Sequence, residues 1–177
     1  MRLGPDDGVL RLHTGVEGRA ARLGHALVLA VPDWSAEAVL VKGVPRSARL
    51  RAGLASLEVV SGSGGAKPLT DKDRRTIRTN ALEALRAGQH PEVVFVAGVA
   101  RDVPGGVSVD GELTIAGHTQ PVTVEVKVAQ TPDGWLLAAR STIVQTDFDV
   151  APYSAMLGAL RLRDAVEVSF EATVARP

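Results

Sequence analysis

At 177 residues the chain has the length of one domain and is long enough to bury a real core. Its 20 lysines and arginines equal its 20 aspartates and glutamates, so no global field draws it to nucleic acid, an acidic membrane or a strongly charged substrate. Without cysteine it has no disulfide, no thiolate nucleophile and no Cys-based metal site.

The opening MRLGPDDGVLRLHTG carries acids where a signal peptide needs an apolar run. No later segment approaches the roughly 20 apolar residues of a transmembrane span. The expectation is a cytoplasmic chain without a membrane segment. Period-2 alternation and β-branched content predict strands near Val9–Thr14, Ala26–Val31, Trp34–Lys42 and Ala48–Val60, with turn signals at Pro32-Asp33 and at Gly43 with Pro45. SGSGGAKPLT then reads as a flexible connector inside a single domain spanning residues 1–177, because strands of similar character follow it.

TDKDRRTIRTNALEALRAG breaks the strand rhythm. Thr70 with Asp73 three residues later is a capping-box start, and Gly88 is placed to follow the helix end. Ile77, Ala81, Leu82 and Leu85 form its apolar stripe. Lys72, Arg74, Arg75 and Arg78 form a face expected to lie in water. Further strands are predicted near Glu92–Val103, Val107–Ile115, Val122–Gln130, Trp135–Thr146 and Ala165–Val174. Between them stand turn signals at Pro104-Gly105-Gly106, Gly117 through Pro121, and Pro132-Asp133-Gly134, with a short helical turn around Ser154–Leu160.

About nine short strands with tight turns and one amphipathic helix predict an all-β, antiparallel fold. A closed β-barrel with the helix over one opening is preferred, since closure removes exposed sheet edges. A barrel of about eight strands has an interior that side chains just fill, or that holds one small ligand. Leu113, Ile115, Val124, Val126, Phe95, Val168 and Phe170 point inward by alternation. Only 3% of the chain is aromatic, which leaves few side chains large enough to fill a wide interior. Phe148 and Tyr153, beside Pro152 and Gly158, mark a loop at a barrel mouth. Trp34 and Trp135 follow turns and read as strand-end anchors.

The residues give little support to catalysis. His13, His25, His90 and His118 lie far apart without a metal-ligand spacing. There is no Gly-x-Ser-x-Gly elbow and no phosphate-cradling glycine loop before a helix. Asp147 and Asp149, two apart, would share a strand face, where solvation or capping is the simpler role. The expectation is a protein that is not an enzyme and needs no cofactor.

Three stretches together resemble the YceI-like family of lipocalin-shaped proteins. DKDRRTIRTNALEALRAGQHPEVVFVA is similar to the family's helix with an acid-Arg pair, here Asp73-Arg74, running into a strand opened by His90-Pro91 with Phe95. GELTIAGHTQPVTVEVKV resembles its Gly-x-Leu-Thr-Ile hairpin, and TDFDVAPYSAMLGALRLRDAVEVSFEA its Asp-Phe-Gly-x-x-Pro-Tyr-Ser segment and final strand. Here Asp149 stands where the family has Gly, and the N-terminal third matches loosely, with His25 near a His common there. The resemblance implies an antiparallel barrel around an apolar pocket for a long polyisoprenoid or related lipid, binding without catalysis, and in some members a homodimer.

The function expected is therefore that of a non-catalytic carrier for an amphiphilic lipid, a long-chain apolar small molecule, with no nucleic-acid partner. Its ligand-binding candidates are Leu82 and Leu85 on the helix, Phe95, Leu113, Ile115, Val124 and Val126 on the central strands, and Phe148, Tyr153, Val168 and Phe170 toward the C-terminus. The alternative is a structural or protein-interaction module whose barrel is filled by its own side chains.

Overall fold

The computed structural model describes residues 1–41 and 44–176. The predicted turn at Gly43 and the predicted strand end at Lys42 lie outside them. In chain order the elements are β1 (Arg2–Leu3), β2 (Gly8–His13), β3 (Val16–Glu17), β4 (His25–Ala30), β5 (Trp34–Val41), β6 (Val44–Gly53) and β7 (Glu58–Gly64). The helix α1 (Asp71–Ala84) follows, then β8 (Glu92–Val103), β9 (Gly106–Ile115), β10 (His118–Thr131), β11 (Gly134–Val144), β12 (Ser154–Ala155), β13 (Leu160–Leu162) and β14 (Ala165–Ala175).

Eleven strands form one antiparallel sheet in the order β1-β5-β6-β8-β9-β10-β11-β14-β2-β4-β7, and β12-β13-β3 form a small second sheet. The large sheet curls strongly into a half-barrel. The antiparallel barrel-like fold with one helix is as expected, but the circle is not closed by hydrogen bonds. The sheet keeps two edges, and no ladder joins β1 to β7 among the described residues. The edges nevertheless share a core: Leu3 of β1, Trp34 of β5, Leu10 of β2, Leu29 of β4 and Leu57 before β7 belong to one buried cluster.

Three local readings are corrected. The predicted strand Ala48–Val60 is two strands, because a single 3-10 turn at Leu54–Ser56 interrupts it where the Gly53 N–H donates to the Asp33 carbonyl, and the chain crosses to the other end of the sheet. SGSGG is only partly a connector, since Ser61, Gly62, Ser63 and Gly64 continue β7, where any Cβ on Gly62 would strike Leu69 and Leu27. The hairpin between β9 and β10 turns on two residues, Ala116 and Gly117, both with positive φ (50° and 83°), as a type I′ turn requires. Pro121 therefore lies within β10, opposite Glu112, instead of ending a longer turn.

The helix begins as predicted. Thr70 Oγ1 accepts the Asp73 N–H and Asp73 Oδ2 accepts the Thr70 N–H, a complete capping box. Its end differs: Leu85 is the last right-handed residue and Arg86 takes the left-handed conformation (φ 52°), two residues before Gly88. Ile77, Ala81 and Leu82 pack on the cluster shared by the sheet edges.

The polar face is not all solvated. Arg74 Nη1 donates to the carbonyls of Val59 (2.9 Å) and Val60 (3.0 Å). Arg78 Nε donates to Leu57 O (2.7 Å) and its Nη2 to Ala55 O (2.5 Å). One turn apart on α1, Arg74 occupies carbonyls of the edge strand β7, whose other side is paired to β4, and Arg78 holds the turn that leads into it. Arg75, on the same helix, is exposed. Arg78→Ala should lower the free energy of unfolding by about 1–3 kcal/mol, because it strands the carbonyl of buried Leu57, while Arg75→Ala should change it by no more than about 0.5 kcal/mol. Urea denaturation of the pair measures the contrast.

Candidate functional site

Cross-strand register defines the inner face. Val126 lies opposite Val107, Val124 opposite Val109 and Val122 opposite Gly111 across β10 and β9. Phe95 lies between Leu113 and Leu50, and Ala139, Phe170 and Leu10 line up across β11, β14 and β2. The intervening residues Asp110, Thr123, Glu125 and Arg140 face outward. Thr123 donates to Asp110 there, 2.7 Å apart.

Two clusters fill part of this concavity. Trp34 and Phe170 meet edge to face inside the first, with centroids 5.1 Å apart and planes at 86°. Val168 and Leu82 pack against it too. The second is built from Leu113, Ala116, Ile143, Phe148 and Val150, with Leu85, Phe95, Ile115, Val122 and Val168 on its margin. Nine of the expected ligand-contacting residues thus come together around the end covered by α1: Leu82, Leu85, Phe95, Leu113, Ile115, Phe148, Val168 and Phe170 within the clusters, and Tyr153 on the rim, where its side chain is exposed.

Val124 and Val126 are different. They are half-buried, as are Val107 and Val109 opposite them, and none of the four belongs to either cluster. The inner face away from the helix is apolar, half-buried and outside both packed clusters. Val107 and Val109 were missing from the expected site, although their alternation in VSVDG carried the same signal as that of β10. Trp34, read as a strand-end anchor, is instead buried in the interior; alternation with Ala36 and the pairing partner Ala52 put it there.

At the covered end the rim is polar. Asp147 and Asp149 do not share a strand face: the chain makes a 3-10 turn at Gln145–Phe148, and Asp149 follows it in the left-handed region (φ 55°). That conformation favours glycine, the residue the resemblance implies at this position. Here the side chain has its own partners. Arg86 Nη2 donates to Asp149 Oδ2 at 2.5 Å and to its carbonyl at 3.1 Å, and His118 Nε2 lies 3.7 Å from the same carboxylate oxygen. Gln120 Nε2 donates to the Asp147 carbonyl, 2.8 Å away. The hydrogen bond and charge of Arg86 hold the Asp149 carboxyl below its ordinary range, against a slight opposing effect of burial. Outside the rim, a groove of about 790 Å³ runs along the C-terminal half of α1, with Leu82, Arg78, Arg86 and Pro91 in its walls. No cluster of three or more metal-ligating side chains occurs among the described residues, and no helix there is long and apolar enough to cross a membrane.

The sequence model of the YceI-like domain matches residues 15–174. Among solved structures, the chain is similar to BcnA of Burkholderia cenocepacia, with a TM-score of 0.69 at 19% identity, over 94% of this chain and 96% of that one. It is also similar to a YCEI protein of Campylobacter jejuni, with a TM-score of 0.64 at 14% identity, over 84% of each chain. At these identities the likeness is one of fold. No curated protein matches the sequence.

The rim pair sets a pH dependence. Because the folded-state pKa of Asp149 is depressed, its contribution is complete above the unfolded value of about 4 and is lost as pH falls through the lower folded value. Asp149→Asn keeps a residue tolerant of the left-handed backbone and removes the charge. Urea midpoints taken at about pH 7 and about pH 3 should therefore lie closer together in the variant than in the parent chain.

Proposed function

The chain belongs to the YceI-like family, and on that premise we propose that it is a non-catalytic carrier for an amphiphilic lipid, a polyisoprenoid chain held in the half-barrel. The observation that carries the reading is the valine surface of Val107, Val109, Val124 and Val126, apolar, half-buried and outside both packed clusters. A lipid chain lying there would complete its burial. Each methylene removed from water contributes about 0.8 kcal/mol, so about ten buried carbons give about 8 kcal/mol before the costs of association are subtracted. Methyl branches along a polyprenyl chain suit a floor of valines.

A second reading, a structural or protein-interaction module without a ligand, draws on the other half of the interior. There Trp34, Phe170, Leu82 and Phe148 fill the space, and a ligand would have to displace well-packed side chains. The two readings differ over the valine end alone.

Native mass spectrometry of protein expressed in a bacterium separates them. The carrier reading expects a co-purifying species in the mass range of polyprenyl lipids; clean apo-protein that ignores added prenyl lipids would leave the module reading standing. Val124→Phe supplies an independent check. In an open concavity it should abolish lipid uptake at little cost to stability, whereas in a close-packed one the extra ring should cost about 1–3 kcal/mol.

A further inference from the structure

The net charge of zero hides an uneven distribution. The small sheet of β3, β12 and β13 stands on the rim at the helix-covered end, tied to it through Thr146, whose N–H and hydroxyl both donate to Asp164. At its tip the chain takes three consecutive left-handed residues: Met156 (φ 54°), Leu157 (φ 56°) and Gly158 (φ 84°). Two of the three carry side chains that disfavour this conformation. The strained turn drives apolar groups outward: Leu157 is fully exposed at 108%, Met156 is 57% exposed and Tyr153 48%.

The neighbouring loop continues the patch. The Ala20 N–H donates to the Ala159 carbonyl, and Gly18 packs so closely on Ala159 that a Cβ would collide with it, which brings Leu23, 42% exposed, to the same region. Segments 15–24 and 153–163 together hold Arg19, Arg22, Arg161 and Arg163, all exposed, against the one acid Glu17, which is paired with Arg161 at 2.8 Å. An apolar tip with a tyrosine beside it and a surplus of arginines around it has the composition of a surface that enters the headgroup region of an acidic bilayer.

We propose that the β12–β13 hairpin and the 18–23 loop dock this chain on an anionic lipid bilayer, with Leu157 and Met156 inserted among the acyl chains and the arginines against the headgroups. Docked in this way, the helix-covered end of the half-barrel faces the membrane. The proposal stands on the hairpin and its charges, and holds whether or not the interior carries a lipid.

Co-sedimentation of the purified chain with vesicles tests it. Binding is expected to vesicles of phosphatidylcholine mixed with phosphatidylglycerol, to weaken with salt, and to be absent with phosphatidylcholine alone. Arg22→Gln should weaken it about fivefold. Leu157→Gly relieves the left-handed strain, so its melting temperature should rise while its vesicle binding falls; a purely structural hairpin would not move the two in opposite directions. Equal sedimentation of Leu157→Gly and the parent chain, or failure of the parent to bind the mixed vesicles, overturns the proposal. So does a concentration-dependent dimer, seen by light scattering, that Leu157→Gly abolishes while vesicle binding is absent. Because these measurements use no prenyl ligand, their failure leaves the carrier reading untouched, and a missing lipid in the mass spectrum leaves this one untouched.

Discussion

The unpaired carbonyls on the outer side of β7 are the constraint around which this fold is arranged. A curled sheet that stops short of closure has to satisfy or hide its last strand. Arg74 does so from α1 while Arg78 holds the turn just before the strand, and the helix is thereby fixed with Ile77, Ala81 and Leu82 turned inward. Its apolar stripe completes the core made by Leu3, Trp34, Leu29 and Leu57. That core fills the end of the half-barrel under the helix, and the valine surface beyond the helix lies outside it, half-buried. The division of the interior into a packed end and a half-buried end follows from where two arginines anchor one helix.

Much of this was legible in the sequence because it depends on near neighbours. The capping box needs only Thr70 and Asp73, and the strands from Glu92 onward are long enough for alternation to fix their inner faces. The misreadings have longer reach. Ala48–Val60 looked continuous although the apolar phase shifts from Leu50, Ala52 and Leu54 to Leu57 and Val59; the turn itself depends on the Asp33 carbonyl and on Leu54 burying its side chain. The glycines of SGSGG looked loose, yet Gly62 is needed under Leu69. Gly88 is the residue that local rules choose to end α1, whereas Arg86 takes the left-handed position and reaches Asp149, 63 residues away, with its side chain.

The candidate site shows the same division. Alternation told which side chains face inward, and Val124 and Val126 were placed correctly on the inner face. It could not tell which inward residues would find partners, because those partners are remote: Trp34 meets Phe170, and Leu85 meets residues on β9 and the segment after β11. Phe148 and Tyr153 lie five residues apart and have opposite fates, one in the core and one in water. Composition misled in another way. An even balance of acids and bases describes the whole chain, and averages away the arginines gathered beside the β12–β13 tip.

In a cylinder stitched all the way round, strand number and stagger set the bore, and widening it means breaking a whole ladder. Here the first and last strands are not joined by a ladder among the described residues and meet through the side chains of a shared core, with one helix bonded to the last strand and the turn before it. The girth is thus adjustable at the cost of packing in that core, with every rung of the sheet intact.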